Sequence, residues 1–330
     1  MNKVFFYCLQ IAVVFTLYIA PFSLLAQKAD TNNAATTLNS VRLIEQYREE
    51  ACGAVISLNF ELALEKIKKA NNLAISLQDS SGKGETILSN AQLHYYLESY
   101  DKAAKLNSTA IAQLKASQNT EKLASALSLQ GFISTKLSEF SASENYFKQA
   151  DALYSASNNE GGKSSILLGR GILEFEKGNP KVALNYLNAG VAKYREFVMS
   201  FQEASGLLYK AKALLQLEDD AKKTYLLQSK TALKNALLII EVKNYKKLKI
   251  DSYKIKANIA QKEGERIKAK TMLEEYTSKI DALKVENISL ISAINNSEPN
   301  GVEIQKEMLP TDEELLDKER SENFNVITNG

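Results

Sequence analysis

The feature that most constrains this chain is a forty-residue echo of itself, clearest between Ala51 and Gly190. A small residue stands at Ala51, Ala91, Gly131 and Gly171. A residue able to cap a helix stands at Asn59, Ser99 and Asn179, with Glu139 the exception. Phe60, Tyr100, Phe140 and Pro180 come next, then Ala63, Ala103, Ser143 and Ala183, then Ala70, Ala110, Ala150 and Gly190. Columns that hold one spacing over successive copies mark a repeat. Periods of this length belong to solenoids, whose units bury their apolar faces only by stacking on neighbours.

Each copy has two apolar stripes at helical spacing, one on either side of the cap column. In the second copy they are Leu88, Ala91, Gln92 and Tyr95, then Ala103, Leu106, Ala110 and Leu114. Asn59, Ser99 and Asn179 can accept a bond from the free N–H groups of a following helix. Pro180 falls at the first helical position, where its missing N–H costs nothing. The small residues let two helix backbones approach closely. Each copy therefore reads as a helix–turn–helix hairpin, with turns expected at Asp79–Lys83, Ser117–Thr120 and Ser157–Lys163.

The order of small residue, cap, aromatic, Ala, Phe or Leu, and Ala resembles the tetratricopeptide repeat. Gly131…Phe140…Phe147…Ala150 and Gly171…Gly178…Ala183…Leu187 carry the resemblance best. The basic unit of that family is shorter, so the likeness is to its long-helix variant. The sequence departs from the pattern at Glu50, Asn90, Gln130 and Arg170, where an early Leu belongs. It departs again at Ala54, His94, Ser134 and Glu174, where the first helix carries Tyr. The resemblance covers residues 39–295 and implies an all-α, right-handed superhelical solenoid of about six tetratricopeptide-like hairpins.

A fifth unit keeps the period at Ala211, but its second helix is displaced by about six residues around Asp219–Leu226 and continues as a long helix over Leu227–Glu241. A sixth follows at Lys254, Ala257, Ala260, Gly264, Ala269 and Leu273, with its last helix running towards Leu290. A polar outer face on that helix would suit a terminal cap.

The ends differ from the repeats. Residues 1–26 read as a secretory signal, with Lys3, an apolar stretch from Val4 and a cleavage point after Ala26. The rival reading is an uncleaved anchor, since the apolar stretch approaches spanning length; Pro21 and the Ser/Ala-containing end favour cleavage. Residues 27–38 form a flexible polar leader, and residues 296–330 an acidic, disordered tail. The expected location is outside the cytoplasm, periplasmic or secreted. A signal, a leader and long-helix repeats together are similar to the extracytoplasmic sensor regions of bacterial two-component histidine kinases. No kinase box follows here.

Chemistry is scarce. A formal charge of +2 gives no general attraction to nucleic acid. The only histidine, His94, sits in a helix-packing column, and a chain cleaved after Ala26 keeps Cys52 alone, which reads as a small buried apolar residue. No triad, zinc site or cofactor fingerprint can be built from these, so neither an enzyme nor a cofactor is expected. Ser81-Gly82-Lys83-Gly84 and Gly161-Gly162-Lys163-Ser164 mimic phosphate loops. They lack the upstream Gly and leading strand, and Lys83 and Lys163 stand two periods apart, as equivalent inter-repeat turns do.

What remains is a surface for a protein or peptide ligand. In tetratricopeptide arrays the first helices line a concave groove, and the resemblance transfers that role by register. The strongest candidates are Arg48, Gln92, Tyr95, Tyr96, Phe132, Thr135, Lys136, Ile172, Phe175 and Glu176, with Cys52, Val55, Ile56, Leu88, Ser128 and Leu168 in the same columns. Lys254 and Asn258, one turn apart, resemble half of a clamp for a carboxylate.

Overall fold

The computed structural model describes residues 38–217 and 224–297, with side chains described as far as Ala282. The signal, the leader before residue 38, and the acidic tail beyond Ser297 lie outside the described residues. Every regular element described is an α-helix. The first five are α1 (38–56), α2 (Phe60–Ser76), α3 (Ser80–Tyr96), α4 (Tyr100–Ala116) and α5 (Thr120–Lys136). Then come α6 (Phe140–Ala156), α7 (Glu160–Glu176), α8 (Pro180–Glu196) and α9 (Ser200–Gln216). The last three are α10 (Thr224–Lys243), α11 (Lys246–Lys262) and α12 (Arg266–Ser297). The chain divides into two units, Met1–Asn287 and Ile288–Gly330; the first holds α1 to α11 and most of α12.

The helices pair as successive hairpins, α1 with α2 through α11 with α12, giving an all-α solenoid of the tetratricopeptide-like kind. The odd-numbered helices also pack on one another in turn, α3 on α5, α5 on α7, α7 on α9 and α9 on α11. They form an inner layer, and the even-numbered helices flank them.

The forty-residue period is two nearly equal halves. From α2 to α9 every helix is 17 residues long and the link between helices is three. A left-handed residue recurs every twenty positions, at Leu58, Gln78, Glu98, Gln118, Ser138, Asn158, Gly178 and Val198. At each, the helix end closes on itself. The Gln78 N–H donates to the Ile75 carbonyl (3.0 Å) and the Asp79 N–H to the Ala74 carbonyl (2.9 Å), the paired bonds of a Schellman ending. The next left-handed residues among those described are Asn244 and Gly264. Ser229 pairs with Ala211 at a separation of 18, against 12 for Ser143 and Gly131, so the six-residue shift is complete by Ser229 in the first turns of α10.

Two details of the sequence reading are corrected. The Gly-Lys stretches are not loops: Ser81–Gly84 lies in the first turns of α3 and Gly161–Ser164 in those of α7. Asp79 and Asn159 accept from the N–H of Gly82 (2.9 Å) and Gly162 (2.7 Å), so each N-terminus is already capped. The caps also fall differently. Asn59, Asp79, Asn119 and Asn159 make cap bonds, whereas Ser99 and Asn179 make none. Backbone ψ is 62–65° at the two bondless residues and 74–98° at the four that bond, and the Asn179 amide is drawn instead to Glu174 (2.8 Å).

The small columns are the hairpin interfaces. Ala63, Ala103, Ser143 and Ala183 are fully buried, as are Ala70, Ala110 and Ala150. Ser143 donates to the Gly131 carbonyl (2.9 Å) and, two units on, Ser229 to the Ala211 carbonyl (3.0 Å), so a hydroxyl in this column ties the two helices of its hairpin together. Phe147 fills the space between α5 and α7. A Cβ added to Gly131 would lie 2.6 Å from its ring, and one added to Gly169 2.5 Å. Burying such a side chain contributes about 2–3 kcal/mol, and the two glycines make the space for it. His94 is also fully buried, and neither ring nitrogen has a hydrogen-bond partner. Burial, with Lys102 adding to it, lowers its pKa to about 4, so it packs as a neutral imidazole. Cys52 is free and exposed, not the buried residue expected from its composition.

Candidate ligand pocket on the inner face

The inner layer encloses a pocket of about 460 Å³ lined from α3, α5, α7, α9 and the first half of α11. The helical repeat explains its make-up. Residues one or two turns apart on each odd-numbered helix face inward, and equivalent positions on the next helix lie beside them. Ser125, Ser165 and Ser205, at forty-residue spacing, form one hydroxyl-bearing column of the wall. Leu168 and Leu208 belong to a second column, and Phe132, Ile172 and Lys212 to a third. Tyr154 and Tyr194 reach the same space from α6 and α8, between the inner helices.

Of the residues chosen from sequence, the pocket brings together Gln92, Tyr95, Tyr96, Phe132, Lys136 and Ile172, with Ser128 and Leu168 from the same columns. The others lie elsewhere. Arg48 pairs with Glu85 of α3, which also accepts from Asn119 (2.9 Å). This stitches the first three hairpins and neutralises the charge. Thr135 faces the other way: its hydroxyl bonds to Ser143 (2.7 Å) and the Gly131 carbonyl (2.9 Å) inside the hairpin. Phe175 stacks edge-on against Tyr209 (5.8 Å), and Glu176 pairs with Lys136 (3.0 Å). Lys254 and Asn258 are exposed on α11 away from the pocket, with the Lys254 ammonium over the Tyr276 ring of α12 at 5.9 Å. They do not form a clamp together with the pocket.

Sequence register missed most of the wall. Leu208 and Lys212 of α9 follow from carrying the columns one hairpin further, whereas Tyr209 and Phe201 stand in other columns. With the six-residue offset the same columns reach Lys254 and Asn258, not Lys247 and Asp251, which continue the columns of Phe201 and Ser205. Tyr154 and Tyr194 stand one period apart in the column of Leu114, on the second helices and not the first.

The pocket is bridged. The Lys247 ammonium donates to Glu98 (3.2 Å), at the end of α3, and to Asp251 (2.9 Å). Tyr96, Phe201 and Tyr245 form a ring-to-ring seam at 6.3 and 5.2 Å. The C-terminal end of α3 is thereby joined to the starts of α9 and α11. Burial opposes the Lys247 charge, but Asp251 and Glu98 outweigh it and raise its pKa. Lys136 is held likewise: burial opposes its charge, yet the oxygens of Tyr209, Tyr95 and Glu176 raise its pKa. Burial, with Glu98 adding to it, pushes the Tyr100 phenol up to about 12, and burial raises Tyr95 and Tyr96 as well. Tyr95, Tyr96 and Tyr100 are therefore neutral hydroxyls at physiological pH.

Among the described residues no group of three His, Cys, Asp or Glu is placed to hold a metal ion, and no helix is long and apolar enough to cross a membrane. No family profile matches the sequence, and no characterised protein is similar to it by sequence. Among solved structures the chain is similar to the crystal structure of BtubC (BKLC) from P. vanneervenii, at 13% identity and a TM-score of 0.47, over 77% of this chain and 98% of that one. The hairpin order and the inner-layer packing described above place this chain among tetratricopeptide-like α-solenoids.

Proposed function

We propose that this chain is an exported binding module that takes a protein or peptide ligand on its inner face and acts as a sensor or adaptor in envelope signalling. The observation that carries the binding role is the pocket itself: aromatic rings, hydroxyls and amides converge on one concavity from five inner helices. Such a wall recognises by preorganised shape and hydrogen bonding and has no need of a reactive group. Export rests on the composition of residues 1–26, and the sensor role on the resemblance of the whole arrangement to extracytoplasmic sensor regions.

A second reading, a scaffold for an envelope complex, is favoured by a different feature. Leu237, Leu238 and Val242 of α10 and Met272 of α12 line an apolar recess, with Lys230, Lys234, Lys256 and Lys268 also in its lining. Leu238 and Val242 are exposed.

Affinity capture from envelope fractions separates the two. Under the first reading, Gln92→Ala with Tyr95→Ala releases the captured partner, while Leu238→Asp with Val242→Asp retains it. The opposite pattern would establish the scaffold and dismiss the inner-face reading. Fractionation with N-terminal sequencing tests export: a mature chain beginning at Gln27 is expected.

A further inference from the structure

Two observations narrow what the inner pocket accepts, given that it is the ligand site. The first is charge. Lys136 is satisfied by Glu176 (3.0 Å) and the Tyr209 hydroxyl (2.9 Å), and Lys247 by Glu98 and Asp251. Lys212 has no such partner. Its ammonium sits over the Tyr209 ring, 4.4 Å from the centroid, and no carboxylate among the described residues comes within ion-pairing distance. The uncompensated charge on the pocket wall is therefore positive.

The second is shape. The Glu98–Lys247 bridge and the Tyr96–Phe201–Tyr245 seam join across the inner face, so the space is a pocket and not a trough open along its length. Its volume of about 460 Å³ falls in the range of small-molecule sites.

We propose that the inner pocket binds a compact organic carboxylate, with the carboxylate at Lys212 and its apolar body against Phe132, Ile172 and Leu208. The cation on an aromatic face suits this role. A ring holds the ammonium in place without neutralising it, so the charge is kept for an incoming anion, and a charge-assisted bond formed out of bulk water is stronger than a neutral one. Two sources supply such a group: a free small acid, and the C-terminal residue of a partner chain.

Isothermal titration calorimetry on the full mature chain tests this with N-acetylphenylalanine, its carboxamide, and a flexible Gly/Ser dodecapeptide ending in a free Phe carboxylate. Saturable binding of the acid is expected, with the carboxamide weaker by at least about tenfold. Lys212→Met should abolish that discrimination and Lys212→Arg preserve it, both with unchanged circular dichroism. If the dodecapeptide binds as well as the short acid, chain termini are the source; if only the short acid binds, free acids are. Equal binding of acid and amide, binding of neither up to about 10 mM, or discrimination that survives Lys212→Met would overturn the proposal. A protein partner lost on changing Gln92 and Tyr95 but kept by Lys212→Met would leave the inner-face reading standing and this inference refuted.

Discussion

Alanine substituted for glycine should have opposite signs at two helical positions of this protein. In a helix interior, Gly to Ala favours the folded state by about 1 kcal/mol, because it removes backbone freedom from the unfolded chain. At Gly53 in α1 that contribution stands alone, since a Cβ there would meet nothing within 4 Å. At Gly131 in α5 the new Cβ would lie 2.6 Å from two ring carbons of Phe147 and 2.9 Å from a third. The ring has no retreat. Phe147 is 0% exposed, Phe132 meets it edge-on at 5.2 Å, and Gly169 presses from α7. Overpacking of a filled core costs about 1–3 kcal/mol, so the helix gain is cancelled or exceeded. Gly53→Ala is expected to stabilise by about 0.5–1 kcal/mol and Gly131→Ala to destabilise by up to about 2 kcal/mol. Urea unfolding followed by far-UV circular dichroism measures both. Phe147→Leu supplies the second arm of a double-mutant cycle: it should cost less in the Gly131→Ala background than in the wild type, with a coupling of about 1–2 kcal/mol. A Gly131→Ala protein as stabilised as Gly53→Ala, or zero coupling to Phe147, would refute the claim that these glycines exist to seat the ring.

Other expectations follow from particular residues. His94 has a folded pKa near 4 against 6.5 in the free side chain, so below that upper value the unfolded chain binds the proton that the folded chain refuses. Its contribution is fully present above pH 6.5 and is lost as pH falls towards 4, by at most about 3 kcal/mol. Subtracting the pH profile of His94→Gln from that of the wild type should leave this slope, and parallel profiles would contradict it. Val198 is a β-branched residue held at φ 57° and 81% exposed. Val198→Asn, which tolerates that conformation, should raise stability by about 1 kcal/mol in urea melts. Phe201 links Tyr96 to Tyr245, whereas the Glu98 end of the Lys247 pair is exposed. Phe201→Ala should therefore destabilise by about 2–3 kcal/mol and Glu98→Gln by less than about 1 kcal/mol, with faster hydrogen exchange at the end of α3 in the first variant.

The fold was legible in the sequence to the extent that it is local and repeated. Ala51, Ala91 and Gly131 had to be small because two backbones meet there, and that demand recurs in each hairpin whatever the neighbours are. The six-residue insertion could be found for the same reason, since it shifts a pattern already established. The finer twenty-residue step stayed hidden. Its left-handed positions carry Leu58, Gln78, Glu98, Gln118, Ser138, Asn158 and Val198, none of them the glycine that announces such a turn, and only Gly178 and Gly264 signal it.

The pocket divides along the same line. Register alone placed Gln92, Tyr95, Phe132 and Ile172 on an inward face, because a helix position fixes a direction relative to its own hairpin. Whether a side chain is then free, paired or buried depends on neighbours in other units. That is why Arg48 is taken up by Glu85, and why Thr135 turns into the core towards Ser143. The meeting of Glu98 with Lys247, 149 residues apart, depends on the small rotation between successive hairpins added up over several units. No single spacing in the chain encodes that sum. Local periodicity determined that this protein is a stack of hairpins with an aromatic inner face. Only tertiary packing decided that the inner face is bridged into a pocket and that Lys212 is the charge left free on its wall.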